Sequence, residues 1–283
     1  MSSHRIRVGL VGYGSLGQYL ARQILNEGAS AFDLVFVWNR TFSRVSSDDA
    51  LAANIPLENL ADFQSRQPDL IVEVADPSIT AIWGERFLQA ADFFVGSPTA
   101  LSDAALNQKL RDASEHGHGL YIPSGALWGA DDIKKMADGG SLLGLCVTMA
   151  KHPQSLKLHE SLAHKLAEAA QSDCAVEVFR GSVRTLCPLA PNNVNTMAAA
   201  ALAAHNLGFD GVQAVLVADR RLCSHDTTVE VLGAAPGSSS PCRITTTRVN
   251  PAADGAVTGN ATYASFFRSL VRAKGRGSGV HFC

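Results

Sequence analysis

The chain has 283 residues, of which 46% are hydrophobic and 18% charged, with a formal net charge of −2. That length suits two domains of ordinary size, and the composition belongs to folded globular proteins and excludes global disorder. Without a basic stripe there is no footprint for nucleic acid, and no apolar run approaches the ~20 residues of a membrane span. The N-terminal MSSHRIRV enters a strand at once, so no targeting peptide and a cytoplasmic location are expected.

In residues 5–17, RIRVGLVGYGSLG, the apolar run Ile6, Val8, Leu10 and Val11 predicts a buried strand. It breaks at Gly12-Tyr13-Gly14-Ser15-Leu16-Gly17, and Leu16, Leu20 and Ile24, one turn apart, predict a helix. Strand, glycine turn and helix are the context that a dinucleotide-binding fingerprint requires. Gly12 permits the tight turn, Gly14 lets backbone approach a pyrophosphate, and Gly17 lets helix and strand pack closely. The phosphates would sit on unpaired N–H groups at the helix start, where Leu16 lies.

Further strands follow at Asp33–Trp38, Asp69–Val74, Asp92–Val95 and Leu120–Pro123, separated by helical stretches that include Thr80–Ala90 and Ser102–Glu115. This alternation implies a parallel sheet with right-handed crossovers. The fold class is α/β: a Rossmann dinucleotide-binding domain over residues 1–125 and about 250–283, with an α+β open-sheet domain over 126–249. The second strand ends Val37-Trp38-Asn39-Arg40-Thr41, without the carboxylate that binds a ribose diol in NAD-binding chains. Asn39 and Arg40 suit a 2′-phosphate, since arginine grips phosphate through a planar fork. NADP(H) is therefore the favoured cofactor, with NAD(H) still open.

Ile122–Ala130 is a small-residue stretch leaving the last Rossmann strand that should border the nicotinamide, and Ser124 within it is a candidate substrate contact. Beyond it, Leu142–Ala150, Ala175–Phe179, Gln213–Ala218, Thr227–Leu232 and Arg243–Val249 look like strands, several alternating as an open sheet with one wet face does. Leu158, Leu162 and Leu166 mark one helix; Val194, Met197, Ala198, Ala201 and Leu202 mark another. The wet face invites a second subunit, and a homodimer is expected. APGSSSP (235–241) reads as a hairpin loop, and a helix over Tyr263–Ala273 precedes a frayed tail, Gly275–Cys283.

Three asparagines in Pro191-Asn192-Asn193-Val194-Asn195 exceed what capping a helix needs, so Asn193 and Asn195 are candidate ligand contacts. Asn193, Arg180 and Arg184 are conceivable substrate contacts. Among nine histidines, His225 stands out at the start of a strand facing the cleft, while His159, His164 and His205 fall on predicted helices. Histidine titrates near neutrality and suits a general base, with Asp226 and Asp131 the next candidates. The six cysteines lack paired spacing, which argues against a metal site and suits reduced thiols. Most are expected in the core, with Cys283 exposed.

Together these segments resemble the L-aspartate dehydrogenase family over essentially the whole chain. PSGALWGADDI resembles that family's P-S-G-A-I-G-G-[LA]-D segment, FRGSVRTLCPLAPNNVNTMAAAALA its F-x-G-x-A-x-x-A…P-x-N-x-N-V-A-A helix start, and ADRRLCSHDTTVEV its A-D-P…R-N-x-H-x-I-x-V strand pair. Asn195 and His225 keep the family's separation of 30 positions. The resemblance implies that His225 is the active-site histidine and that Ala126 and Asn195 contact the cofactor. It also implies NAD(P)-dependent oxidative deamination of L-aspartate, through iminosuccinate to oxaloacetate and ammonia, with no metal. Three positions depart from the pattern: Leu222 and Cys223 replace the family's arginine and asparagine, and Arg220 replaces the proline of A-D-P. Another NADP-dependent reductase of similar architecture, or a dinucleotide sensor without turnover, are the alternative readings.

Overall fold

The computed structural model describes residues 5–27, 31–235, 237, 240–253, 255–273 and 275–283. The first half runs β1 (Ile6–Val11), α1 (Ser15–Leu25), β2 (Phe32–Trp38), the single turn α2 (Ser43–Ser46), β3 (Pro56–Leu57), β4 (Leu70–Glu73), α3 (Pro77–Leu88), β5 (Asp92–Val95), α4 (Ala104–Ser114) and β6 (Gly119–Ile122). The second half runs α5 (Ala130–Asp138), β7 (Leu142–Lys151), α6 (Ala163–Gln171), β8 (Val176–Ser182), α7 (Val183–Leu186), α8 (Asn195–Ala203), α9 (Gly208–Gly211), β9 (Gln213–Ala218), β10 (Ser224–Gly233) and β11 (Cys242–Pro251). Then α10 (Asn260–Arg272) and β12 (Gly279–Phe282) close the chain.

Two sheets organise these elements. A seven-stranded parallel sheet has the order β12-β6-β5-β4-β1-β2-β3, and a five-stranded mixed sheet has the order β11-β10-β7-β9-β8. The α/β architecture read from the alternation is the one observed: a Rossmann-like sheet beside a second, mixed sheet. In the first sheet β1 is flanked by β2 and β4, and its buried residues run together because helices cover both faces. In the second, β7 and β10 alternate buried and half-buried positions, the signature of a sheet covered on one side.

Helix α8 packs against elements of both halves of the chain. Its stretch Thr196–Ala203 is buried all round, and its alanines let it pack closely against the turn at Pro98–Ser102 and against α5. A helix that is apolar on every face belongs in a core. The connection returning from β11 brings α10 back to the Rossmann sheet. There Phe266, Phe267 and Leu270 join the cluster of Val8, Leu20, Phe94 and Tyr121.

Several expectations are corrected. The glycine-rich tail is not frayed. Gly279–Phe282 is the edge strand β12, parallel to β6, and Cys283 is buried with its N–H bonded to the Ile122 carbonyl. A glycine-rich composition signals freedom in the unfolded chain, but an unpaired sheet edge supplies the partner that orders it. Of the cysteines only Cys187 and Cys283 are buried, while Cys174, Cys223 and Cys242 are exposed. Leu158 precedes the helical segment, which starts as a short 3-10 turn at Glu160–Leu162, and only His164 of the three histidines placed on helices lies in one. Pro236, Ser238 and Ser239 of the hairpin connection lie outside the described residues, although β10 and β11 pair antiparallel as a hairpin requires.

Candidate active site

The glycine turn ends β1 beside the strand order's switch point. Gly12 has φ +112°, and a Cβ there would meet the Val74 carbonyl at 2.7 Å, so only glycine fits the turn. A Cβ on Gly17 would lie 2.1 Å from the Gly12 carbonyl oxygen, because α1 packs directly on the turn. Gly14 differs: nothing lies within 4 Å of its would-be Cβ. The protein itself does not fill that space. Gly14, Ser15 and Leu16 open onto a cleft, and α1 starts there with no side-chain cap and no acidic residue in its first turn. Free N–H groups and the positive end of the helix dipole form a seat for a pyrophosphate.

The turn is tied to the end of β2. The Tyr13 hydroxyl donates to Asp48 Oδ2 at 2.8 Å, and the Tyr13 N–H donates to Asn39 Oδ1 at 3.2 Å. Asn39 Nδ2 in turn donates to the Thr41 carbonyl at 3.0 Å. Arg40 is exposed at this corner.

A residue that the sequence reading missed organises the neighbouring loops. Glu73 ends β4 fully buried, and its carboxylate accepts from the N–H groups of Ala75 (2.7 Å), Asp76 (2.9 Å) and Ser97 (3.0 Å). It also accepts from the hydroxyls of Ser97 (3.0 Å) and Thr80 (3.3 Å). One carboxylate thus splints the loops after β4 and β5, both of which border the cleft. Burial outweighs these bonds and pushes its pKa up to about 7.

The crossover loop after β6 forms the next wall. The Ser124 N–H and hydroxyl both donate to the main-chain oxygen of Cys283, at 2.8 and 3.0 Å, so β12 anchors this loop. Ser265 Oγ donates to the Gly125 carbonyl at 2.8 Å, and Ala126 faces the cleft.

The second sheet supplies the opposite wall. Its register pairs Thr227 with Met149 and Asp226 with Ala150, which brings His225 and Lys151 to the adjoining ends of β10 and β7. His225 is 7% exposed, and its Nε2 is buried without a hydrogen-bond partner. The ring lines the cleft. Burial first, and then the charge of Lys151, lower the His225 pKa to about 4. Lys151 is 3% exposed, and burial lowers its pKa to about 8. Its Nζ donates to the carbonyls of Asn193 (3.1 Å) and Val257 (3.5 Å). Asn193 is committed to the fold: Oδ1 accepts the Lys157 N–H and Nδ2 donates to the Ser155 carbonyl, both at 2.8 Å. Asn195 Oδ1 accepts from Thr99 Oγ1 at 3.2 Å.

These walls enclose a cleft of about 550 Å³. It gathers Gly14, Leu16, Ser124, Ala126, Asn193, Asn195 and His225, which are far apart in sequence. Asn39 and Arg40 stand at the end of β2, beyond its lining. Arg180 and Arg184 do not reach it. Arg180 forks onto Glu177 and Arg184 onto Asp210. Asp131 is exposed on α5, and Asp226 accepts from Ser224 Oγ at 2.6 Å; neither lines the cleft. Nor do Arg220, Leu222 and Cys223, so all three family departures lie outside it. Among the described residues the lining carries Lys151, Lys157 and Arg248 and no carboxylate, and no cluster of three metal-ligating side chains exists.

Comparison with known proteins matches both halves. The homoserine dehydrogenase NAD-binding domain model covers residues 12–123, and the aspartate dehydrogenase C-terminal domain model covers 132–269. An aspartate dehydrogenase domain-containing protein of Xenopus tropicalis is 49% identical over 99% of this chain and 98% of its own. The chain belongs to the aspartate dehydrogenase family. A domain-containing relative of the same name in Danio rerio is 48% identical over the whole of both chains, and an L-aspartate dehydrogenase of Serratia proteamaculans is 28% identical over 80% of this chain and 83% of its own. The crystal structure of the Thermotoga maritima aspartate dehydrogenase shares the fold, with a TM-score of 0.68 at 18% identity, covering 96% of this chain and 98% of that one. The family's NAD-binding half holds the glycine turn and its C-terminal half holds His225. The chain is an NAD(P)-dependent dehydrogenase in class.

Proposed function

We propose that this chain oxidises L-aspartate to oxaloacetate and ammonia, with NADP(H) preferred over NAD(H). One observation carries the reading. A buried imidazole with a bare Nε2 faces the glycine turn's cleft, whose described lining is cationic without a carboxylate. Such a lining attracts a dicarboxylate and a dinucleotide alike. The uncapped start of α1 and the open space at Gly14 fit the pyrophosphate, with Ala126 and Asn195 further along the groove toward the nicotinamide. A nicotinamide bound there supplies the hydride acceptor for the substrate Cα.

The protein's own part is proton transfer and placement. His225 Nε2 takes the proton that the amine must lose before the C–N double bond forms, and then assists water's attack on the imine. Ser124 and Asn193 act as positioning residues through the crossover loop and the 155–157 turn that they hold. Arg40 holds the 2′-phosphate. Six unpaired thiols suit a reducing cytosol.

We assign a homodimer through the open face of the second sheet. Its rows Thr247-Thr228-Thr148 and Val249-Asp226-Ala150 form a surface of mostly small and β-branched side chains. Steady-state assays of the purified protein with L-aspartate, L-glutamate, L-alanine and D-aspartate, each with NADP+ and NAD+, test the function. Reduction of the dinucleotide by L-aspartate with stoichiometric ammonia is expected. Failure with every acidic amino acid between pH 6 and 10 would overturn the reading.

A further inference from the structure

The geometry points to Lys151 as the residue that selects an acidic substrate, taking up one of its carboxylates beside His225. This rests on the dehydrogenase reading above and extends it to a residue of this chain. Lys151 ends β7 at a buried position, and an ammonium group carries three donors. Two are directed at main-chain carbonyls, those of Asn193 and Val257, the second at a long 3.5 Å. Neutral carbonyls do not offset a buried positive charge.

No carboxylate among the described residues lies within ion-pair distance. The Asp219 N–H donates to the Lys151 carbonyl, and the Asp219 carboxylate is held by Arg221 at 2.7 and 2.9 Å. By contrast Lys109, Lys134, Arg184 and Arg268 each reach an acid partner at the surface. A buried cation that faces a ligand cleft without a counterion is compensated when an anionic ligand arrives.

The charged groups around the His225–Lys151 pair are all accounted for among the described residues. They are Lys157 after β7, Arg248 on β11, Asp226 on β10, hydrogen-bonded to Ser224, and Asp219 with its partner Arg221, the last three outside the cleft lining. From β11 Asn250 sits opposite His225, and the Val257 carbonyl accepts from Lys151 Nζ. Taking up a carboxylate therefore does two things at once. It neutralises Lys151, and it removes the repulsion that disfavours a proton on His225. Substrate binding makes the base stronger.

Lys151→Met, similar in length and uncharged, tests this. The Michaelis constant for L-aspartate should rise about 10–100-fold, the range for a charged hydrogen bond, while NADPH affinity measured by fluorescence stays at the wild-type value. The acid limb of kcat/KM should move up toward the ordinary histidine range, which loss of packing alone would not produce. Succinate, a dicarboxylate without a reactive amine, separates this proposal from the function. Its affinity for the wild-type NADP+ complex should fall about tenfold or more as pH rises through Lys151's pKa, and should be lost in the variant. If wild type binds succinate in this way but turns over no aspartate, the activity reading fails and the anion site stands. Wild-type succinate binding that does not change between pH 7 and pH 9.5, or equal aspartate Michaelis constants in both proteins, would overturn the role of Lys151.

Discussion

The chemistry at His225 is set by what does and does not touch its two nitrogens. Nε2 is buried without a hydrogen-bond partner, and the ring lines the cleft. Because burial and Lys151 hold its pKa near 4, the free protein keeps this base unprotonated throughout the physiological range. The sign of the pH dependence follows. Protonation blocks the base, so activity is lost as pH falls, and kcat/KM should show its acid limb near pH 4. In the substrate complex the added carboxylates favour the proton, so the limb in kcat should lie at higher pH. Paired pH–rate profiles check the order of the two limbs; a kcat limb at or below that of kcat/KM would show that substrate does not tune the ring. Arg40, proposed to hold the 2′-phosphate, is the second residue to test. Arg40→Ala should weaken NADPH by about 1.5–3 kcal/mol while NADH changes little. Equal losses in a binding titration would show that the arginine only shapes the loop.

At the scale of elements, the three glycines of the turn do different work, and substitutions separate them. Gly17→Ala drives a Cβ into the Gly12 carbonyl and should destabilise the fold by about 1–3 kcal/mol. Gly14→Ala meets no protein atom and should leave stability within about 0.5 kcal/mol, yet lower dinucleotide affinity by tenfold or more, because the added methyl enters ligand space. Urea unfolding beside NADPH titration reads both. These glycines, the alternating strands and His225 were legible because each has a local signature: a spacing, a period or a motif. Glu73 and Lys151 were not. Each is one polar residue at the end of an apolar strand, LIVE and LLGLCVTMAK, and a strand end faces solvent as often as a cleft. Only the neighbouring loops, brought in from distant sequence, make one a splint and the other a buried cation. The same holds for β12, whose order comes from the free edge of β6 across more than a hundred residues rather than from its own glycine-rich sequence. Arg180 and Arg184 misled for the opposite reason, since motif proximity cannot show that Glu177 and Asp210 already hold them.

At the scale of the molecule, two sheets share one task. The parallel sheet offers a helix start to a dinucleotide, the mixed sheet offers His225 and Lys151, and the wholly buried α8 fixes one against the other. The uncovered face of the mixed sheet, with Val249 61% exposed at its edge strand, is the surface proposed for a second copy. Light scattering at micromolar concentration should give twice the chain's 29.9 kDa, and a monomer would refute the assembly. The central claim is that substrate Cα gives its hydride to a nicotinamide held at the glycine turn while His225 takes the proton. Its most direct test follows L-[2-²H]aspartate with NADP+ in wild type and in His225→Ala. Wild type should place deuterium on nicotinamide C4, one equivalent for each ammonia released, and the variant should do so about 10²–10⁴-fold more slowly with NADPH affinity intact. Unlabelled reduced dinucleotide, or a variant as fast as wild type, would contradict the account.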